Sequence, residues 1–335
     1  MSMNTRKAAP AVMRRALTIV CIVMLAFAAA AALSGCSGRT PAAGPESSVG
    51  SRATELAEPG TSAGSMRTFG IIYPFAHPFY EMITEQAQEA ARPNRVQLIV
   101  KAPEEANLEQ QIRMMETMIK QGVDGIALDP LDSDALRPSI DKAVAAGIPV
   151  ICFESDAPGS RRLAYIGADN REAGTRMGQL LAQLLGGKGM VLVESGMPDM
   201  SSLRQRMEGL LDYLNRETDI QVLDVRYNEG SEEQALTDLE QMIDRHPHFD
   251  ALVSLDSISN SSSILVWKAK GLNRHALAFG LTPELTNAMQ NGQITAVISQ
   301  SEILWGPRIV ERLLQASNGD SIPKYDDTGI ADIRS

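Results

Sequence analysis

From Arg67 onward the chain alternates short, continuously apolar runs with amphipathic stretches, and this alternation most constrains what it can fold into. The runs fall at 69–73, 96–100, 125–128, 150–153, 190–193, 221–225, 251–253, 276–279 and 296–299. Hydrophobicity that is continuous marks strands covered on both faces, as in parallel sheets. Between the runs lie helical stripes. Leu108, Ile112, Met115 and Ile119 share one face, and Met207, Leu210, Leu211 and Leu214 share another. These stripes read as core. Gly122 and Gly271 stand where a helix ends in a left-handed residue. Strand–helix alternation predicts parallel sheets with right-handed crossovers. So many strands fit two doubly wound α/β lobes better than one. In open sheets of this kind ligands sit beyond the carboxyl ends of the strands, so the residues just after each run are the functional candidates.

The first run is followed by His77-Pro78-Phe79-Tyr80. Pro78 suits a helix start and sets Phe79 and Tyr80 in the first turn, facing the cleft; two ordinary core aromatics are the competing reading. Asp129 and Glu154 end the third and fourth runs, Asp256 follows 251–255, and Gln300 closes the last run. Arg204 and Arg206 open a helix after Ser195-Gly196-Met197-Pro198, and Glu194-Ser195-Gly196 reads as a turn. A carboxylate accepts hydrogen bonds from adjacent hydroxyls, an arginine donates to others, and an aromatic face covers the C–H side of a sugar ring. The chemistry therefore suits a small polyhydroxylated ligand. No dinucleotide or P-loop glycine pattern occurs, so no cofactor is expected. No metal is expected either, because His246-Pro247-His248 has no spaced partners.

The chain opens with basic Arg6, Lys7, Arg14 and Arg15, then an apolar run over 16–33 ending in Leu33-Ser34-Gly35-Cys36. That order describes a secretory signal. Its ending resembles a bacterial lipobox, which implies cleavage before Cys36, lipidation of the thiol and an extracytoplasmic protein anchored to the bacterial cell membrane. A transmembrane anchor with an incidental cysteine is the alternative. Cleavage leaves 27 basic against 41 acidic residues, a formal charge of -14, which argues against a nucleic-acid partner. It also leaves Cys152 as the one cysteine besides Cys36, in an apolar run, so an internal disulfide is excluded and an inert buried thiol expected. Residues 37–66 are rich in Ser, Gly, Ala and Pro and read as a flexible tether.

Several phrases then resemble one family, the type I periplasmic binding proteins of the ribose- and galactose-binding group. His77-Pro78-Phe79-Tyr80 is similar to that family's Asn-Pro-Phe-Phe, and Asp129-Pro130-Leu131-Asp132-Ser133-Asp134-Ala135 to its Asn-Pro-Thr-Asp-Ser-Asp-Ala. Gly147-Ile148-Pro149-Val150-Ile151, Ile166-Gly167-Ala168-Asp169-Asn170, Ser202-Leu203-Arg204-Gln205-Arg206 and Ala296-Val297-Ile298-Ser299-Gln300 also match, in order, across 67–335. The resemblance implies two lobes joined by a three-segment hinge crossing near Asp169, Gln300 and Asp327. The N-terminal lobe would be 67–168 plus 301–327, and the C-terminal lobe 169–300 plus 328–335. Ligand positions would fall on His77, Phe79, Tyr80, Asp129, Glu154, Arg204, Asp256 and Gln300. Two departures stand out: Glu154-Ser155 replaces the family's Asp-Arg, and Gly280 stands where an aspartate is usual. The implied function is delivery of a sugar or polyol to an ABC permease. Presentation of the ligand to a membrane sensor kinase is the alternative. A secreted carbohydrate hydrolase using Glu154 and Asp129 is a third reading, weakened by the absence of a nucleophile elbow or triad.

Overall fold

A computed structural model describes residues 66–334. Residues 1–65, with the expected signal segment 1–35, the expected lipidation site Cys36 and the expected tether, lie outside the described residues. The first half of the fold runs β1 (Arg67–Ile72), α1 (Pro78–Ala91), β2 (Val96–Lys101), α2 (Leu108–Gln121), β3 (Gly125–Leu128), α3 (Ser133–Ala145), β4 (Val150–Phe153) and β5 (Ala164–Gly167). The second runs α4 (Asn170–Leu185), β6 (Lys188–Ser195), α5 (Ser201–Glu217), β7 (Asp219–Tyr227), α6 (Glu232–Arg245), β8 (Ala251–Ser254), α7 (Ser257–Lys270), β9 (His275–Phe279), α8 (Pro283–Gln290) and β10 (Ala296–Ser299). The chain then returns through α9 (Trp305–Ser317) and β11 (Tyr325–Asp327) and ends in β12 (Ala331–Arg334).

Two six-stranded sheets result, ordered β11-β5-β4-β3-β1-β2 and β12-β10-β9-β8-β6-β7. Every pairing is parallel except that of β12 with β10. The two doubly wound lobes expected from the sequence are present, each wound in the same order. Strands β3, β4, β8 and β10 are buried at every position, which is why their sequences are apolar without alternation up to the serines that close β8 and β10. Gly122 and Gly271 end α2 and α7 at φ 66° and 61°, as their positions predicted. Cys152 is fully buried, and burial pushes its thiol up, beyond nucleophilic use.

Strands β5, β11 and β12 escaped the sequence reading. Ala164–Gly167 is short and merges into a turn-like phrase, while Tyr-Asp-Asp and Ala-Asp-Ile-Arg are polar edge strands with no hydrophobic pattern. Glu194 and Ser195, read as a turn, instead end β6 and are buried.

The chain passes between the sheets three times, at 168–169, 300–304 and 328–330. Thr328 ties these crossings together. Its N–H donates to Gly167 O at 3.0 Å and its hydroxyl donates to Gln300 O at 2.7 Å. Thr328→Val keeps the shape and removes the hydroxyl, leaving a buried carbonyl short of a donor. A loss of about 1–3 kcal/mol follows; urea unfolding checks it, and unchanged stability would sink the assignment of Thr328 as the tie.

Helices α4 and α5 approach at two glycines. A Cβ on Gly174 would run into the Arg206 carbonyl, and one on Gly209 into the Arg171 carbonyl. The first lobe's core, around Phe69, Ile83, Phe153 and Ile309, continues without a break into Met197, Met200, Leu203 and Ile258, which extend from the second lobe. The lobes therefore meet across an apolar seam.

Candidate functional site

The strand ends of the two lobes face each other across this seam, and the polar groups there come from both sheets. From the first lobe Glu154 follows β4 in the left-handed region, at φ 56°. A non-glycine residue there costs roughly 1 kcal/mol or more and is held only by its surroundings. Its carbonyl accepts from Tyr165 Oη at 2.7 Å and Asn170 Nδ2 at 3.1 Å, which fixes the bend and turns the carboxylate into the cleft. From the second lobe Arg206, 1% exposed on α5, donates through Nη2 to Glu154 Oε1 at 3.3 Å. Its Nε donates to Asn170 Oδ1 at 2.9 Å and its Nη1 to Leu255 O at 3.1 Å, with the guanidinium 3.8 Å above the Phe279 ring. Five guanidinium N–H groups exist and these bonds occupy three, so two remain for a solute.

Behind Glu154 lies a buried carboxyl pair. Tyr80 Oη sits 3.1 Å from Asp129 Oδ2 and 3.3 Å from Glu154 Oε2. One phenolic proton cannot serve both. Burial first, and the Glu154 charge second, raise Asp129 well above the usual carboxylate range, so Asp129 retains its proton more readily than an exposed carboxylate. Asp129 Oδ1 also accepts from Ser155 N at 3.2 Å. Gln111 of α2 braces this corner, donating to Asp129 O at 2.7 Å and accepting from Leu131 N at 3.0 Å.

Phe79, Tyr80, Glu154 and Asp256 line the central cavity, with Asp129 one layer behind Tyr80. Asp256 caps α7, accepting from Ile258 N at 3.1 Å and Asn228 Nδ2 at 3.3 Å. Gln300 is fully buried beside the cavity and donates to Asn170 Oδ1 at 2.6 Å. His77 caps α1, accepting from Phe79 N at 3.2 Å. It lines an adjoining crevice with Ser257, Asn260 and Thr282 rather than the central cavity, and burial lowers its imidazole pKa.

Arg204 is the correction. It is exposed on α5, away from the cavity, and Arg206 occupies the interior. Spacing alone does not separate the two, since Arg204 stands three residues before buried Met207 and Arg206 four before buried Leu210. Sequence reasoning also passed over Asn170, Glu302 and Trp305. Asn170 is the hub, with Oδ1 accepting from both Arg206 and Gln300 while Nδ2 donates to Glu154 O.

The closed lobes leave a central cavity of about 20 Å³, room for roughly one water. A sugar-sized solute therefore enters only when the lobes part along the seam.

Glu194, beside Asp256, is fully buried and both of its carboxylate oxygens lack a hydrogen-bond partner. Burial, then the charges of Asp256 and Asp238, move its pKa from an ordinary 4.5 to about 9. The folded chain thus holds a proton there that the unfolded chain releases near 4.5. Stability from this group is complete below that pH and is lost as pH climbs toward 9. Glu194→Gln keeps the uncharged shape and removes this loss, for an expected gain of about 2–4 kcal/mol at pH 8 and little at pH 4.5. Urea melts at the two pH values test it; parallel shifts would refute it.

A profile of the family described as "Periplasmic binding protein domain" matches residues 69–321. The chain is 20% identical over 267 residues to the ribose import binding protein RbsB of Bacillus subtilis, covering 79% of this chain and 87% of that one. It is 23% identical over 241 residues to the xylitol-binding protein of Mycolicibacterium smegmatis, covering 70% and 68%. Among solved structures, an ABC transporter solute-binding protein of Burkholderia graminis in complex with D-arabinose superposes with a TM-score of 0.76 at 23% identity, over 80% of this chain and 95% of that one. A matching profile over most of the folded chain, on two like-wound lobes joined by three crossings, places this protein in the type I periplasmic binding protein family, of the ribose- and galactose-binding kind.

Proposed function

We propose that the chain is the extracytoplasmic binding subunit of an ABC importer, taking a sugar or sugar-like polyol between its lobes by hinge closure and held to the membrane by lipid on Cys36. The carrying observation is the Glu154–Arg206–Asn170 network, which joins both lobes and the crossings at the bottom of the cleft. Arg206 of one lobe and Glu154 of the other face the same cleft, so a polyol bonded to both draws the lobes together around it. Relatives named for ribose and xylitol, and neighbours solved with D-arabinose and D-fucose, support this solute class. In this reading the protein carries out no covalent chemistry.

Thermal melts against pentoses, hexoses, cyclitols and their amino derivatives test it. A solute at about 100 times its Kd adds about 2.7 kcal/mol, a shift of roughly 5–10 °C for a fold of this size, and small-angle scattering reports the change in lobe separation. A panel in which nothing moves the melt or the scattering would overturn the reading.

One structural neighbour is solved as a XylFII–LytSN complex, which favours presentation of ligand state to a membrane sensor as the second reading. Deleting the gene separates the two: an importer subunit is needed for solute uptake, a sensor subunit only for the response to it.

A further inference from the structure

The central cavity has an unbalanced lining. Glu154, Asp256 and Glu302 face it against a single cation, Arg206. Arg206 is paired with Glu154. Asp256 and Glu302 are held by neutral donors, from Asn228 and the α7 amides in one case and from Ser299, Gln300 N and Leu281 N in the other. Buried carboxylates without a cationic counterpart are costly, and a solute that carries the missing charge relieves that cost.

Two further observations point the same way. Phe75, Phe79, Tyr80, Phe279 and Trp305 all line this one cavity in a chain that is only 4% aromatic, and ring faces attract cations at close range. Among the described residues, Gln300 Oε1 is a buried acceptor beside the cleft without a hydrogen-bond partner. It calls for a donor, and an ammonium is a donor three times over with no acceptor.

We propose that the solute is an amine-bearing polyol, an amino sugar or aminocyclitol whose ammonium sits against the Asp256 and Glu302 carboxylates while its hydroxyls accept from the two free N–H groups of Arg206. This rests on the solute-binding reading above and narrows its ligand class.

The test compares matched pairs on the unmodified protein by thermal shift and titration calorimetry: D-glucosamine with D-glucose, D-galactosamine with D-galactose, an inosamine with its inositol, and N-acetyl-D-glucosamine as a neutral relative of the first. The expected result is at least one amine binding about tenfold or more tighter than its neutral partner, with acetylation abolishing the advantage and Asp256→Asn shrinking it to under about threefold. The comparison on the native protein decides the matter even if the variant does not fold. Neutral members binding as tightly as their amines, or the acetylated sugar matching the free amine, would overturn the inference and leave the polyol-binding reading standing. Silence from every member of every pair would remove that reading, and the inference with it.

Discussion

Arg206→Ala is expected to lower solute affinity at least about a hundredfold and to cost about 3–5 kcal/mol of stability, the usual penalty for removing one partner of a buried pair. The arginine is embedded rather than attached. It touches Glu154 across the lobes, Asn170 at the first crossing, the Leu255 carbonyl and the face of Phe279. Arg206→Lys retains the charge but not the fork, so it restores part of the stability and little of the binding. Arg204→Ala, two residues away and exposed, changes neither quantity by more than about 0.5 kcal/mol. Calorimetric titration and urea melts on the three variants form the measurement. Equal behaviour of the Arg206 and Arg204 alanine variants would place the binding arginine elsewhere.

The second large effect is steric. Gly174→Ala sets a methyl group into the Arg206 backbone carbonyl. Neither partner is the end of a flexible side chain, so relief requires α4 and α5 to separate. The helix gains up to about 1 kcal/mol of propensity from alanine, but overpacking against backbone outweighs it, for a net loss of about 2–3 kcal/mol. That corresponds to a melting point lower by roughly 4–12 °C. The same displacement pulls Arg206 Nε away from Asn170, so affinity falls together with stability. Gly209→Ala, the reciprocal contact against Arg171, should behave alike in stability. Unchanged melting in both variants would show that the helices are not held at this spacing.

Much of the fold was legible because burial on both faces writes itself into sequence. The buried strands are apolar apart from the serine that closes β8, and the carboxylates that follow them, Asp129, Glu154 and Asp256, come together at the strand ends as the open-sheet rule requires. What stayed hidden has no local signature. Asn170 looks like any residue in the first turn of a helix, and its four-way bonding exists only once two crossings and α5 converge on it. Thr328 sits between polar edge strands, and its role depends on carbonyls distant in sequence. The choice between Arg204 and Arg206 was not decidable from the inward stripe, since Met207 stands three residues after the one and Leu210 four after the other, and the family phrase contains both arginines. Trp305 was missed because it opens α9 after a crossing, outside any apolar run at a strand end.

The continuity of the first lobe's core into Met197, Met200, Leu203 and Ile258 has a thermal consequence. Parting the lobes hydrates oily surface, so the open form has the higher heat capacity. The balance between gaping and shut forms is thus a thermometer as well as a receptor, and cooling weakens the grip of the seam. Heats of solute capture should grow more exothermic with rising temperature, by an amount that shrinks when Met197 and Met200 are replaced by polar residues.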